Sequence, residues 1–238
     1  MEAIKAWALS IWEQFDFNII QGDRYKMLLD GLGVTLTVAL FAALIGVVLG
    51  FLVALMRISQ VKIGKWYFLR WISSIYVDVI RGTPVVVQLM IMYFIILLPF
   101  KGVTQVQAAI LCFGINSAAY VSEMVRGGIL SVDKGQTEAG RSLGLTSGMT
   151  MRLIVMPQTL KIIMPSLFNE FIALLKETSV VGYIGLMDLA KAGDYIKSRT
   201  YSAFFPLLMV AAIYLVIVIG LTRLFGRLER RMRQSDLR

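Results

Sequence analysis

The chain contains no histidine and a single cysteine, Cys112. One cysteine closes no disulfide within the chain and is too few for a zinc site. Without histidine most acid–base and metal chemistry is excluded, and with it the usual nucleophile–base sets of a membrane enzyme. Charge is scarce as well, at 16% of residues against 58% hydrophobic. A soluble domain carries about 25% charged residues, so lipid is the expected solvent. No Gly-x-x-x-x-Gly-Lys loop occurs, and the chain is not expected to hydrolyse ATP. Residues 1–30 carry several charges and no apolar run of signal-peptide length, so no cleavable signal is expected.

What is present is apolar sequence in long runs, in a length of 238 residues that suits one domain. A spanning helix needs about 20 mostly apolar residues. Residues 31–56, 66–100, 102–122, 153–175 and 200–222 meet that need. The fourth run is interrupted by Lys161 and Glu170, with Pro157 and Pro165 expected to bend it. The fold class is therefore all-α, with five transmembrane helices, because lipid admits only helices and closed barrels and these runs do not alternate.

The net charge of +9 does not point to nucleic acid, because it gathers at the ends of the apolar runs. Arg57, Lys62, Lys65 and Arg70 separate the first two runs, and the tail after residue 222 is rich in arginine. Positive charge stays inside, which predicts the N-terminus outside and the C-terminus inside. The expected division is an outer amphipathic segment over 1–28, a membrane domain over 29–226 and a basic cytoplasmic tail over 227–238. Trp7, Ile11, Trp12, Phe15, Phe17 and Ile19 predict an interfacial helix in the outer segment.

The loop between runs three and four then lies inside. Within it, residues 135–147 read as a short amphipathic helix, capped by Thr137 and ended by Gly144. Glu138-Ala139-Gly140, then Gly144, then Met156-Pro157 resemble the Glu-Ala-Ala…Gly…Leu-Pro motif of ATP-binding-cassette importer permeases. Arg81-Gly82-Thr83-Pro84 with Gln88 resembles the polar amino acid branch of that family. So do Ala119-Tyr120, Glu123, Arg126-Gly127-Gly128, Asn169-Glu170-Phe171, Lys176-Glu177-Thr178-Ser179 and Ile184-Gly185. The resemblance covers about residues 28–225, with Gly140 in place of the second alanine and Met156 in place of leucine.

That resemblance implies a type I importer transmembrane domain in a bacterial cytoplasmic membrane. Its expected partners are ATPase subunits, an extracytoplasmic amino-acid-binding protein and a second permease subunit, alike or related. No cofactor is expected in this chain, ATP and Mg being held by the ATPase. Glu138, Ala139, Gly140, Arg141, Leu143, Gly144 and Leu145 would form the coupling helix. The substrate, a polar amino acid, would pass by alternating access.

Charges inside a membrane are costly, about 2.5–3.5 kcal/mol on insertion scales, and usually functional. Candidate substrate residues are Arg81, Thr83, Gln88, Glu123, Asn169, Glu170, Lys176, Glu177, Thr178 and Ser179. Each has a plainer reading. Arg81 can pair with Asp78, Glu123 with Arg126, and Glu170 with Lys161. Gly46 and Gly50 form a small-xxx-small pair for helix packing, within the subunit or across a dimer. Ser131 to Lys134 matches a Ser-x-x-Lys nucleophile by letters only. The thirteen methionines are read as packing. An ion-coupled transporter would predict an internal repeat, which is not evident. A structural membrane protein would not need Arg81 or Glu170.

Overall fold

The computed structural model describes residues 2–59 and 67–234. Lys62 and Lys65, used above for orientation, and the side chain of Trp7 lie outside what is described. The described residues are mostly helical, joined by short turns and loops, with no strand.

An N-terminal helix α1 (Glu2–Phe15) leads through a π-helical turn (Asp16–Ile20) and a 3₁₀ turn (Gln21–Asp23) into α2 (Arg24–Ile58). Helix α3 (Phe68–Gly82) and helix α4 (Val85–Met90), the latter prolonged by Ile91–Leu97, meet at a bend of 107°. Then come α5 (Gln105–Ser131), the short helix α6 (Lys134–Ser142), the single turn α7 (Ser147–Thr150), a π-helical turn (Met151–Val155) and α8 (Met156–Glu177). A 3₁₀ segment (Thr178–Ile184), α9 (Leu189–Thr200) and α10 (Phe204–Gln234) complete the chain. By length and apolar composition α2, α5 and α10 can cross a bilayer, and the bent α3–α4 pair can be a fourth crossing. Helix α8 is long enough but carries Lys161, Glu170, Lys176 and Glu177. Every apolar run is mainly helical; α2 begins before its predicted limit and α5 and α10 continue past theirs, while α5 and α10 start a few residues late.

Glycines set how the helices meet. A Cβ on Gly46 would lie 2.8 Å from the Ser117 side chain, and one on Gly50 2.6 Å from Val121 Cβ. Gly114 returns the contact to Ile45. The small pair therefore packs α2 on α5 inside the subunit, with the two helices running the same way. Gly50→Leu should overpack this seam by about 1–3 kcal/mol. It is expected to lower the thermal midpoint of the purified protein, whereas Gly33→Leu, with open space at its Cβ position, should not.

Helix α8 runs opposite to α5, since Ile163 meets Gly128 while Glu170 reaches Ser117. Phe225 of α10 stacks on Phe168 of α8 at 4.3 Å, and Phe205 packs beside Leu28 at the start of α2. Helix α10 thus runs with α2. Pro157 stands at the start of α8, directly after the π-helical turn Met151–Val155, and Pro165 lies inside α8. Helical backbone continues through both.

Trp12 is 61% exposed on one side of the N-terminal segment. On the other side, Ile11, Phe15 and Ile19 pack with Leu189, Ile196 and Phe205, tying α1 and its π turn to α9 and α10.

Candidate functional site

The bend between α3 and α4 begins with Pro84. Proline has no amide hydrogen, so the Ile80 carbonyl four residues back loses its helical donor. Gln88 replaces it: its Nε2 lies 2.7 Å from Ile80 O and 2.7 Å from Thr83 Oγ1. Its Oε1 accepts from Asn116 Nδ2 of α5 at 2.9 Å. Gln88 and Thr83, proposed from sequence as substrate contacts, are thus already engaged in repairing the break. Gln88→Leu should strand a carbonyl and cost about 1–3 kcal/mol, read as a lowered thermal midpoint.

Arg81 does not pair with Asp78. Its guanidinium lies 5.3 Å from the Tyr120 ring centre, and its Nη1 is 3.6 Å from Glu123 Oε1. Glu123 gathers two further arginines. Arg126 donates to Oε2 at 2.9 Å, and Arg57 Nη1 lies 2.6 Å from Oε1 as a close charge contact without hydrogen-bond alignment. The expected Glu123–Arg126 pair is present, enlarged to a hub joining α2, α3 and α5. Glu123→Gln should cost on the order of 3 kcal/mol, because it leaves the half-buried Arg57 uncompensated. Its measurable sign is a lowered yield of folded protein.

Glu170 is separated from these groups. It lines a cavity of about 560 Å³ between α2, α5, α8 and α10, whose walls include Phe51, Met164, Phe168 and Phe225. Among the described residues, its only polar lining is Glu170 and Ser117. Ser117 is buried, and its hydroxyl donates to Glu170 Oε1 at 2.9 Å. Lys161 stands nine residues before Glu170, which on a helix turns it about 180° away. Asn169, Lys176 and Glu177 are exposed. Thr178 is fully buried, and its hydroxyl bonds to the Leu175 carbonyl. Ser179 lies in a different, outer pocket. Ser117 and Asn116 were missed from sequence because one serine and one asparagine in an apolar run carry no periodic signal.

The short helix α6 is capped by Asp133, whose Oδ1 accepts from the Gly135 amide at 2.7 Å. Thr137 falls inside the helix, so the predicted cap is corrected. Asp133 is the cap because the helix starts at Lys134, which leaves the Gly135 amide in the first turn without an intrahelical acceptor. The predicted end holds. Gly144 has φ +84, its amide bonds to Arg141 O, and the Leu145 amide bonds to Gly140 O. This is a Schellman closure, and it needs a residue free to adopt positive φ. Arg141 Nη1 also donates to Leu145 O at 2.9 Å. A Cβ on Gly140 would lie 2.7 Å from Ile154 Cδ1 and 2.9 Å from Thr150 Cγ2. Glycine stands where the motif has alanine because α7 and the turn after it press on α6. Leu143 is 82% exposed at the tip.

Residues 46–234 match a family described as the binding-protein-dependent transport system inner membrane component. The chain belongs to that family. This permease is 40% identical over 215 residues to the arginine transport system permease protein ArtQ of Bacillus subtilis, across 90% of this chain and 95% of the relative. It is 35% identical over 222 residues to the glutamine transport system permease protein GlnP of Escherichia coli K12, across 92% and 99%. Among solved structures it is similar to one titled as an amino acid ABC transporter with histidines. The TM-score is 0.79 at 42% identity, covering 87% of this chain and 94% of that one. An inward-facing MetNI methionine ABC transporter shares the fold at TM-score 0.76 and 21% identity, over 89% and 99%. The permease is a multi-pass protein of the cytoplasmic membrane.

Proposed function

We propose that this permease carries a cationic amino acid into the cell, with its ATPase on other subunits. The observation that carries the reading is the lone carboxylate of Glu170, hydrogen-bonded to Ser117 in an otherwise apolar cavity. Among the described residues no cationic side chain lines that cavity. A ligand of net charge +1 neutralises Glu170, whereas a net-neutral zwitterion leaves one charge over. Apolar walls suit a long aliphatic stem. The relatives named for arginine and glutamine support an amino acid as the class.

Five crossings are proposed, formed by α2, the bent α3–α4, α5, α8 and α10, with the N-terminus outside and the tail after 226 inside. The alternating helix directions, Arg57 and Arg70 between the first two crossings, and the arginines ending α10 support this orientation. It lays α6 and Leu143–Leu145 on the cytoplasmic face, where an ATPase with bound ATP and Mg would push on them. A binding protein would deliver from outside, and a second permease subunit would complete the pathway. The family supports neither an ion-coupled transporter nor a scaffold.

The test is a thermal-shift screen of the purified permease–ATPase complex against all common amino acids. Arginine, lysine or ornithine should raise the midpoint most. Stabilisation by acidic amino acids alone would overturn the reading.

A further inference from the structure

A second cavity, of about 280 Å³, lies between the 3₁₀ segment Thr178–Ile184 and α9. Its lining is Ser179, Gly182, Tyr183, Ala190, Lys191 and Asp194. The volume equals roughly nine waters at about 30 Å³ each, enough for one amino acid and little more. Ser179 stands nine residues beyond Glu170, so the two cavities are about 14 Å apart along the chain direction.

The charges here are arranged for exchange. Lys191 Nζ lies 3.1 Å from Asp194 Oδ2, and Lys197 Nζ lies 2.6 Å from Asp194 Oδ1. If Lys191 turns to another carboxylate, Asp194 keeps Lys197 and regains a free oxygen. The amino groups of Lys197 and then Lys191 hold the Asp194 carboxyl below the ordinary carboxylate range, so it stays ionised. The stem of Lys191 lies against Gly182, where a Cβ would stand 3.1 Å from its Cδ. Tyr183, 66% exposed, offers a ring wall beside it.

We infer that this pocket is an outer receiving site for a zwitterionic α-amino acid, distinct from the Glu170 cavity. Lys191 takes the α-carboxylate, Asp194 Oδ2 takes the α-ammonium that replaces Lys191, and the Ser179 hydroxyl supplies a further hydrogen bond. The side chain is left toward Tyr183 and is read loosely. The charge of the side chain is read afterwards at Glu170. The inference rests on the proposed orientation and on amino acid import.

The experiment places a reporter in the pocket by Ala190→Cys, in the permease–ATPase complex in nanodiscs without binding protein. Cys112 is buried and silent. The rate of labelling by a charged maleimide is read against arginine concentration. Arginine should slow labelling several-fold, half-maximally on the order of 1 mM, a binding free energy of about −4 kcal/mol. Agmatine, which lacks the carboxylate, should not protect. Lys191→Met, which keeps the stem on Gly182, should abolish protection, and Lys191→Arg should retain it. Glu170→Gln should leave protection intact. Absence of protection in the parent, or its survival in Lys191→Met, would overturn the outer site. So would its loss in Glu170→Gln, which would mean that the inner cavity is being reported. If Lys191→Met weakens only stimulation by the binding protein, with no protection by free arginine, the pocket is a docking surface and the inference fails. Tight arginine binding that is unchanged in Glu170→Gln, with the outer protection present, would instead remove the proposed role of Glu170 alone.

Discussion

Glu170→Gln is expected to weaken binding of a cationic amino acid to the purified complex by about 30-fold to several thousand-fold. Loss of one partner from a desolvated charge pair costs about 2–5 kcal/mol. The substitution is close to isosteric, and the glutamine oxygen can still accept from Ser117 Oγ, which now sits 2.9 Å from the carboxylate. Folding should therefore survive, and the change isolates charge from shape. Calorimetric titration with arginine and with glutamine separates the outcomes. Arginine affinity should collapse while glutamine binding changes little. Equal arginine affinity in both proteins would mean that Glu170 touches no ligand. A matching loss for glutamine would mean that the carboxylate organises the cavity rather than reading charge.

The second large effect is expected at the tip of the inner lever. Leu143 is 82% exposed, beside a tightly closed helix end. Inside this chain it packs against little, so Leu143→Asp should shift thermal stability only slightly, about ±0.5 kcal/mol. If the leucine enters a cleft of the ATPase, its burial is worth about 1.5–3 kcal/mol, and a buried aspartate is worse than its loss. Substrate-stimulated ATP hydrolysis in proteoliposomes should fall by about tenfold or more, and the ATPase should copurify poorly. Arginine binding to the permease should be retained. Normal stimulated hydrolysis would exclude Leu143 from the contact.

The two effects differ in how openly the sequence carried them. The lever was legible because its determinants are local. Gly144 ends α6 through its own positive φ, and the turn that follows closes on carbonyls three and five residues back. Only the start was misread, since both Asp133 and Thr137 are competent caps and the choice turns on which amide is within reach. The site was less legible. Arg81, Thr83 and Gln88 drew a functional reading because polar groups in lipid usually serve function. Here Thr83 and Gln88 repair the backbone at Pro84, and Arg81 joins the Glu123 hub. Glu170 kept its place in a cavity, but its partner Ser117 lies 53 residues away and left no trace in the sequence pattern.

Hydropathy and glycine by themselves determined that this chain is a bundle of membrane helices, with a short polar helix ended by Gly144 between two of them. These are properties of a segment and its solvent, settled within a few turns. Which charge meets which was decided only when α2, α5 and α8 came together at glycine contacts. A helix presents its side chains to several neighbours. Only tertiary packing brings Ser117 to Glu170 and three arginines to Glu123, and so separates a carboxylate bonded to one hydroxyl from one already neutralised by arginine.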